Sequence, residues 1–278
     1  MRVEKGTLNG KVIIITGGGT GLGRSMAFRL AEEGADIVVA ARRLSPLEET
    51  AAGVRERGGK ALVVPTDVTN TTQVNRLIEK TLVEMGKIDV LINNAGIVRG
   101  QAPKSMWEIS DQDWRIGIDV NLSGAFYCSR AVSKYFADRK RGDIIMVASG
   151  EGFRGQRNSF MYNTAKAGVV NLTRVMALTL TEYNVRVNCI VPGFVDTYEY
   201  QPEEYQKVLA ERRATRKVFV PVGHTGKPDD IGYVAVFLCS DASEYVTGGC
   251  FISDGGGLAG GFATTGYAPV VSLKEGLA

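Results

Sequence analysis

This sequence has little histidine, little excess charge of either sign and no long apolar run. One histidine occurs in 278 residues, and 33 Lys and Arg side chains against 30 Asp and Glu leave a net charge of +3. So small an excess, without a block of basic residues, argues against a nucleic-acid partner. No apolar run reaches the roughly 18 residues that a membrane-spanning helix needs, and the first residues lack the apolar core of a signal peptide. We therefore expect a cytoplasmic protein with no membrane partner.

Cysteine is also scarce, and its spacing excludes the common metal sites. Four cysteines are widely separated, each in an apolar stretch with no histidine cluster nearby: Cys128, Cys189, Cys239 and Cys250. Zinc sites of known type use cysteines and histidines at short, regular spacings. We expect buried, reduced thiols and no metal site.

Glycine, in contrast, is abundant, with 34 residues, and much of it follows short apolar runs. Seven such runs are candidate strands: Val12–Thr16, Asp36–Ala41, Ala61–Pro65, Ile88–Ile92, Asp143–Ala148, Arg186–Val191 and Cys250–Ser253. Patterns with the 3.6-residue period of helices lie between them, as at Arg24–Glu33, Thr71–Glu84, Asp111–Phe136, Met161–Glu182 and Asp229–Cys239. Runs of Val, Ile and Leu without polar alternation are typical of strands buried on both faces of a parallel sheet.

The alternation of these strands and helices predicts the fold class. It is typical of α/β proteins, here a single doubly wound, Rossmann-like parallel sheet of about seven strands with helices on both faces. Because no repeat and no Pro- or Ser-rich linker occurs, residues 1–278 are interpreted as a single domain. Two irregular segments interrupt the alternation, residues 194–222 with three tyrosines and a basic cluster, and the C-terminal extension at residues 258–278. Long irregular segments in compact domains are usually lids or tails, so we interpret residues 194–222 as a substrate lid.

The first candidate strand ends in a glycine-rich turn, T-G-G-G-T-G-L-G over residues 16–23, that leads into a helical pattern. Glycines let the backbone turn sharply and approach a pyrophosphate at the N-terminus of the following helix. The common G-x-G-x-x-G spacing is absent, because Leu22 stands where its third glycine would fall. The alternative is a tight turn that binds no ligand. The position of the glycine-rich segment after the first strand of an α/β chain favours dinucleotide binding.

Further short motifs follow the other candidate strands. Asp67-Val68 follows the third strand, Asn93-Asn94-Ala95-Gly96 the fourth, and Pro192-Gly193-Phe194-Val195-Asp196-Thr197 the sixth. Together with the glycine turn, they make the chain from about Leu8 to Gly257 resemble the short-chain dehydrogenase/reductase family. The resemblance implies a dinucleotide-binding catalytic domain that assembles as a homodimer or homotetramer. It also implies these cofactor-binding residues: Gly17, Thr20, Gly21, Leu22, Gly23, Asp67, Val68, Asn94, Ala95, Gly96, Pro192, Gly193, Val195 and Thr197.

The residues after the second candidate strand bear on the choice of cofactor. A carboxylate there, roughly 20 residues past the glycine turn, binds the ribose 2′-hydroxyl of NAD. Here Ala41 is followed by Arg42 and Arg43, and arginine pairs bidentately with phosphate. We therefore expect NADP, bound through Arg42 and Arg43, with NAD as the alternative cofactor. The other interpretation is that Arg42 and Arg43 are only solvated charges of the loop.

Tyr162 and Lys166 stand at i and i+4 of a helical pattern, on one face and one turn apart. Ser149 precedes Tyr162 at the predicted carboxyl end of the fifth strand, where doubly wound sheets bind ligands. Tyr-x-x-x-Lys alone is common on surface helices, but Ser149 and Asn121 stand at the spacing of the family. The resemblance implies that Tyr162 is the general acid/base and that Ser149 binds the substrate oxygen. It further implies that Lys166, with Tyr162, contacts the cofactor and that Asn121 anchors a water linked to Lys166.

Interconversion of an alcohol and a ketone requires a group that exchanges a proton with the substrate oxygen. Free tyrosine titrates near pH ~10, so it is a poor base at neutral pH. The positive charges of Lys166 and of an oxidised nicotinamide favour the phenolate, and we expect them to lower the pKa of Tyr162. His224 is expected to be a loop residue without a catalytic role.

The substrate is the least determined feature. Arg99, Arg154, Gln156 and Arg157 fall in loops near the predicted site, where they would suit an anionic or polyhydroxylated substrate; solvated loop charges are the alternative. We expect an NADP-dependent enzyme acting on a secondary alcohol or ketone, with a sugar acid, a polyol or a cyclic ketone as substrate. The alternatives are a 3-oxoacyl thioester reductase and a non-catalytic dinucleotide-binding regulator, and the complete catalytic set argues against the regulator. The C-terminal extension is expected to pack across a subunit boundary near a neighbouring site.

Overall fold

A computed structural model of the chain describes residues 6–97, 105–197, 220–222 and 224–259. In this part of the chain seven strands form one sheet in the order β3-β2-β1-β4-β5-β6-β7, and every neighbouring pair is parallel. The strands are β1 Val12–Thr16, β2 Asp36–Ala41, β3 Ala61–Pro65, β4 Val90–Asn93, β5 Gly142–Val147, β6 Val185–Pro192 and β7 Cys250–Ser253. The predicted Rossmann-like parallel sheet is thereby confirmed.

Seven α-helices connect these strands within the described residues. They are α1 Gly21–Glu32, α2 Leu44–Glu56, α3 Thr71–Met85, α4 Asp111–Ile118, α5 Gly124–Arg139, α6 Phe160–Leu180 and α7 Pro228–Cys239. None of the helices in these ranges is long and apolar enough to cross a membrane.

Two apolar cores cover the two faces of the sheet, because β1 and its neighbours have apolar side chains on both sides. Ile13 and Ile15 pack in one core with side chains of α1, α2 and α7. Ile14 packs in the other core with side chains of α3, α5 and α6. All three isoleucines are fully buried, as a strand in the middle of a doubly covered sheet requires.

Residues 111–136, predicted as one helix, are helical throughout, but the α-helical repeat is interrupted within them. Helix α4 ends at Ile118, a π-helical turn follows at Asp119–Ser123, and α5 begins at Gly124. The π turn contains Asn121, whose side chain is 1% exposed. A π turn adds one residue to the helical repeat, which redirects the side chains inside it, and such turns often occur at functional sites.

The ends of the predicted lid lie next to the sheet. The backbone N–H of Gly226 donates to the carbonyl of Phe194 at 2.9 Å, and that of Val222 donates to Gly255 at 3.2 Å. Both ends are therefore held beside the loops that follow β6 and β7. Residues 198–219 of the lid and residues 260–278 of the extension lie outside the described residues, as do Arg99 and Gly223.

The four thiols are free, as expected. Cys128, Cys189 and Cys239 are buried, whereas Cys250 is half-buried because β7 is the edge strand of the sheet. Burial raises the pKa of the Cys128 thiol to about 12, so at neutral pH this group is an inert part of the core.

Candidate active site

A cavity of about 170 Å³ lies at the carboxyl ends of the central strands. This edge of the sheet includes the point where the chain crosses from one side of β1 to the other, which is where doubly wound sheets bind ligands. The lining residues are Gly17, Thr20, Ala41, Arg42, Arg43, Thr66, Asp67, Val68, Ala95, Gly96, Ile97 and Val120. Eight of the predicted cofactor residues are among them, all from the segments that follow β1 to β4. Ala41, Thr66, Ile97 and Val120 were not predicted to bind the cofactor, although all but Val120 directly adjoin predicted cofactor residues.

The glycine turn after β1 approaches its neighbours too closely for any side chain. Gly17 has a φ of +67°, and a Cβ there would lie 2.9 Å from the Cα of Ala95. A Cβ at Gly23 would overlap the carbonyl oxygen of Gly17. Thr20, the residue before α1, is extended, and its side chain makes no hydrogen bond to the helix N-terminus. The turn and the uncapped first turn of α1, which begins with Gly21 and Leu22, are thus built as a pyrophosphate cradle is.

Asn94 and Thr16 fix this turn to the loop after β4. The Asn94 Nδ2 donates to the carbonyls of Thr16 at 3.0 Å and Gly17 at 3.2 Å. The Thr16 hydroxyl in turn accepts the backbone N–H groups of Asn94 and Ala95, both at 3.1 Å. Sequence analysis missed Thr16, whose signal is a hydroxyl at the end of an otherwise apolar strand.

Arg42 and Arg43 extend from the end of β2 at the rim of the cavity, and both are exposed. Neither guanidinium makes a hydrogen bond or an ion pair with the described residues. Asp67, the acidic residue that lines the cavity, accepts the N–H and hydroxyl of Thr69 at 2.9 and 2.8 Å. Its carboxylate is therefore held within its own turn, and the positive charge at the rim is left available for an anion.

Asn121 connects the π turn to the loop after β4. Its Oδ1 accepts the N–H of Ile97 at 3.1 Å, and its Nδ2 donates to the carbonyls of Ile97 at 3.1 Å and Gly117 at 2.9 Å. A Cβ at Gly96 would lie 2.8 Å from that Oδ1 and 3.5 Å from the Nζ of Lys166. Gly96 therefore brings the wall of the cavity into contact with the predicted catalytic residues.

Lys166 is almost entirely buried, with 4% of its surface exposed. Its Nζ donates to the carbonyl of Val147 at 2.8 Å and lies 5.6 Å from the centre of the Tyr162 ring. Burial lowers the pKa of this ammonium to about 8, because the charged form is poorly solvated. Lys166 is thus positioned against the face of Tyr162 by the strand that ends in Val147.

The Ser149 side chain is close enough to that of Tyr162 to influence its titration, so the two predicted catalytic hydroxyls are neighbours. The charge of Lys166 alone does not lower the pKa of Tyr162, which is raised; the expected lowering also included the charge of an oxidised nicotinamide. Burial is the largest cause, the Ser149 hydroxyl opposes it, and the charge of Glu151 adds to it. The positive charge of Lys166 can be inferred from the sequence, whereas the burial of the Tyr162 ring depends on the packing of α6.

A short turn at Gly150–Gly152 joins Ser149 to α6. The Ser149 Oγ accepts the N–H of Glu151 at 3.2 Å, and a Cβ at Gly152 would lie 2.8 Å from the carbonyl carbon of Lys166. Arg154 forms an ion pair with Glu151 at 3.4 Å instead of extending alone toward a substrate. Gln156 and Arg157, also considered as substrate contacts, are exposed.

The motif after β6 lies beside the turn after β7. The N–H of Gly193 donates to the carbonyl of Ser253 at 3.0 Å, and a Cβ at Gly193 would lie 2.6 Å from the Cα of Asp254. Val195 pairs with Gly226 in a short parallel bridge. Pro192, Gly193, Val195 and Thr197 adjoin the site at this end but do not line the 170 Å³ cavity. His224 is exposed, with its Nδ1 3.0 Å from the Thr225 carbonyl oxygen.

Comparisons with known proteins agree with this geometry. The family described as short chain dehydrogenase matches residues 11–207. The chain is 38% identical over 246 residues to the (5R,7aS)-5-hydroxy-7a-methyl-1-oxo-2,3,5,6,7,7a-hexahydro-1H-indene-carboxyl-CoA reductase of Mycobacterium tuberculosis, covering 87% of this chain and 91% of that one. It is 35% identical over 254 residues to the 3-oxoacyl-(acyl-carrier-protein) reductase FabG of Thermotoga maritima, covering 90% and 98%. The solved structure of an NAD+-bound xylitol dehydrogenase is similar with a TM-score of 0.79 at 33% identity, covering 90% and 99%.

Proposed function

This chain belongs to the short-chain dehydrogenase family, and we propose that it transfers a hydride between NADP(H) and a secondary alcohol or ketone. As a member it is an oxidoreductase that acts on CH–OH or C=O groups. The observation that carries the proposal is the contact between two sites: Gly96 lines the glycine-turn cavity, and a Cβ on it would lie 3.5 Å from Lys166 Nζ. The predicted catalytic lysine therefore adjoins the wall of the glycine-turn cavity, which supports a cofactor bound beside Tyr162 and Ser149.

The protein's part of the proposed reaction is proton transfer and positioning. When bound, the cofactor supplies or accepts the hydride. Tyr162 gives its phenolic proton to the carbonyl oxygen in reduction and takes it back in oxidation. Ser149, which lies beside Tyr162, donates a hydrogen bond to the same substrate oxygen and stabilises the developing negative charge. The Lys166 ammonium, beside the phenol ring, stabilises the phenolate that remains.

We assign cofactor binding to the cradle and to the rim arginines. The glycine turn and the first turn of α1 suit the pyrophosphate, since only glycine at positions 17 and 23 lets the backbone pack this tightly before the uncapped helix N-terminus. Arg42 and Arg43 suit the 2′-phosphate of NADP, because no carboxylate stands at the end of β2 to accept a ribose hydroxyl. NAD is the alternative cofactor, and it is the one bound in the similar xylitol dehydrogenase structure.

Calorimetric titration with NADP and NAD tests the cofactor assignment. We expect NADP to bind at least tenfold more tightly, about 1.4 kcal/mol, and Arg42→Ala to remove that margin. Arg76→Ala removes an equally exposed arginine from α3, away from the cavity, and should leave the margin intact. If NAD binds as tightly as NADP to the unaltered protein, the assignment is wrong.

For the substrate we propose a sugar acid, a polyol or a cyclic ketone. The second candidate is a 3-oxoacyl thioester, which is favoured by the 35% identity to FabG over 98% of that protein. Turnover measured with one member of each class, in both directions, separates them. If the thioester has the highest kcat/KM, the second candidate is the substrate class.

The lid, the extension and the assembly remain proposals. We propose that residues 194–222 cover the substrate and that residues 258–278 reach a neighbouring subunit in a dimer or tetramer. Leu258, at the start of the extension, packs on the core beside Gly150, at about 3.8 Å from a Cβ placed there. The beginning of the extension therefore lies next to the turn at Gly150–Gly152 that follows Ser149. A cytoplasmic location is also retained as a prediction.

A further inference from the structure

The turn after Ser149 carries a charge that the proposed reaction does not use. Glu151, the second residue after Ser149, has a carboxylate side chain that is 17% exposed. One of its oxygens accepts the Asn163 Nδ2 at 3.1 Å, and the other lies 3.4 Å from an Arg154 nitrogen. The carboxylate is therefore held in one position near the catalytic residues.

Glu151 is connected to Tyr162 on two sides. Its backbone N–H donates to Ser149, which lies beside Tyr162, and its carboxylate accepts Asn163, which follows Tyr162 in α6. The Asn163 Nδ2 also donates to the carbonyl of Arg154 at 2.9 Å, so the orientation of this amide is fixed by two acceptors. The negative charge cannot move away from the phenol without breaking these bonds.

We propose that Glu151 is a positioning residue whose fixed charge disfavours the phenolate of Tyr162 and so favours the neutral form that donates a proton. The inference rests on the proposed function, because it assigns the preferred direction of that same reaction. A neutral phenol is the acid that reduction of a ketone needs, whereas oxidation of an alcohol needs the phenolate. In reduction the proton leaves the Tyr162 oxygen for the substrate oxygen, and solvent then reprotonates the phenolate.

The charges around Tyr162 support this balance. Glu151 acts in the same direction as burial, and both raise the pKa of Tyr162. Lys166 and Arg154 are the nearby cations, and Arg154 offsets part of the Glu151 charge at 3.4 Å. Helix α4, the π turn, α5, β5 and β6 are among the elements that pack on α6. Of the charged groups of α4 and the π turn, Asp111, Arg115 and Asp119 are exposed and Asp113 is half-buried. Cys189 of β6 opposes the lowering of the Lys166 pKa.

Direct titration of Tyr162 by NMR tests the inference without requiring turnover. Protein labelled with ¹³C at the tyrosine Cζ gives ten signals, and the one missing in Tyr162→Phe identifies Tyr162. In Glu151→Gln, which keeps the shape and removes the charge, we expect the pKa of Tyr162 to fall by about half to one pH unit. In Glu151→Asp, which keeps the charge, the pKa of Tyr162 should be close to its value in the unaltered protein.

Two further variants make the test decisive. Arg154→Gln removes the compensating cation and should shift the Tyr162 titration to higher pH. Glu79→Gln makes the same charge change on the exposed face of α3 and should leave it unchanged. An unchanged titration in Glu151→Gln would overturn the inference. If that variant does not fold, an unchanged titration in Arg154→Gln overturns it instead.

Turnover then distinguishes this inference from the proposed function. In Glu151→Gln the pH profile of alcohol oxidation should move to lower pH by the same amount as the NMR titration. A purely structural role for Glu151 would lower kcat without moving the profile, which contradicts the inference. If no alcohol or ketone turns over although the NMR titration moves as expected, the proposed function fails and the electrostatic role of Glu151 stands.

Discussion

The Lys166 ammonium couples activity to stability at a single residue. Burial lowers its pKa from 10.5 to about 8, so between these pH values the unfolded chain binds a proton that the folded chain does not. The charged side chain therefore opposes folding below pH 8, and the free energy of unfolding rises as the pH increases from about 8 toward 10.5. A difference of this size corresponds to roughly 3 kcal/mol.

Replacing Lys166 with methionine should stabilise the fold and abolish activity. Methionine has a similar length without the charge, so at pH 7 we expect the free energy of unfolding to rise by up to about 3 kcal/mol. The gain in the free energy of unfolding is reduced because the Val147 carbonyl loses the hydrogen bond donated by Lys166. Urea denaturation measures the change, with Lys134→Met as the control, since that lysine is 84% exposed. Lower stability in Lys166→Met, or a rise equal to that of the control, would contradict this account.

The candidate catalytic residues could be identified from the sequence, but the direction of the Tyr162 pKa could not. Tyr162, Lys166 and Ser149 stand at a fixed spacing, and the structure brings them together. The direction of the Tyr162 pKa depends on burial by segments far away in the sequence, which no local spacing reveals. The role of Glu151 depends likewise on the amide of Asn163, which reaches it across the turn.

At the scale of elements, the π turn at Asp119–Ser123 is what directs Asn121 inward. The side chain makes three hydrogen bonds with the backbone groups of Gly117 and Ile97. These bonds join the end of α4 to the loop after β4, which lines the cavity. The π turn could not be predicted, because apolar residues recur with the 3.6-residue period of an α-helix on both sides of it. One added residue changes that pattern too little to be recognised.

Asn121→Ala should weaken this junction. Two backbone groups of Ile97 lose their partner, and we expect the free energy of unfolding to fall by roughly 1 to 3 kcal/mol. Because the loop after β4 also holds the glycine turn, affinity for the cofactor should fall in the same variant. Urea denaturation and calorimetry measure the two effects, with Ser133→Ala as the control, because Ser133 is half-buried and its hydroxyl donates to the Arg130 carbonyl within α5. Unchanged stability together with unchanged cofactor affinity would show that Asn121 does not hold the loop.

At the scale of the whole molecule, the sheet was predictable and the segments around the site were not. Val12–Thr16 and the other apolar runs carry apolar side chains on both faces and must be buried on both. Strands of a parallel sheet covered on both sides therefore follow from the apolar pattern of the sequence. The glycine-rich turn at Gly255–Leu258 has no period, and its contact with Gly150 in the turn after Ser149 arises only in the folded chain. For the same reason the pairing of Val195 with Gly226 had no signal in the sequence.

The exposed apolar side chains of α6 lead to a prediction about assembly. Leu178 is 80% exposed and Val175 53%, on a helix that was expected to pair with another subunit. Light scattering should show a dimer or a tetramer, and the double variant Val175→Glu with Leu178→Glu should reduce its mass. Val83→Glu is the matched control, because Val83 on α3 is 84% exposed. A monomeric unaltered protein would contradict the prediction.

The central claim, that this chain is a Tyr162-dependent nicotinamide oxidoreductase, is tested most directly by turnover of a ketone panel with NADPH. We expect the unaltered protein to reduce at least one member of the panel. Tyr162→Phe should bind NADPH with unchanged affinity and lose about 100-fold or more of the rate, the usual effect of removing a general acid. NADPH binding without turnover of any ketone, or an unchanged rate in Tyr162→Phe, would contradict the account.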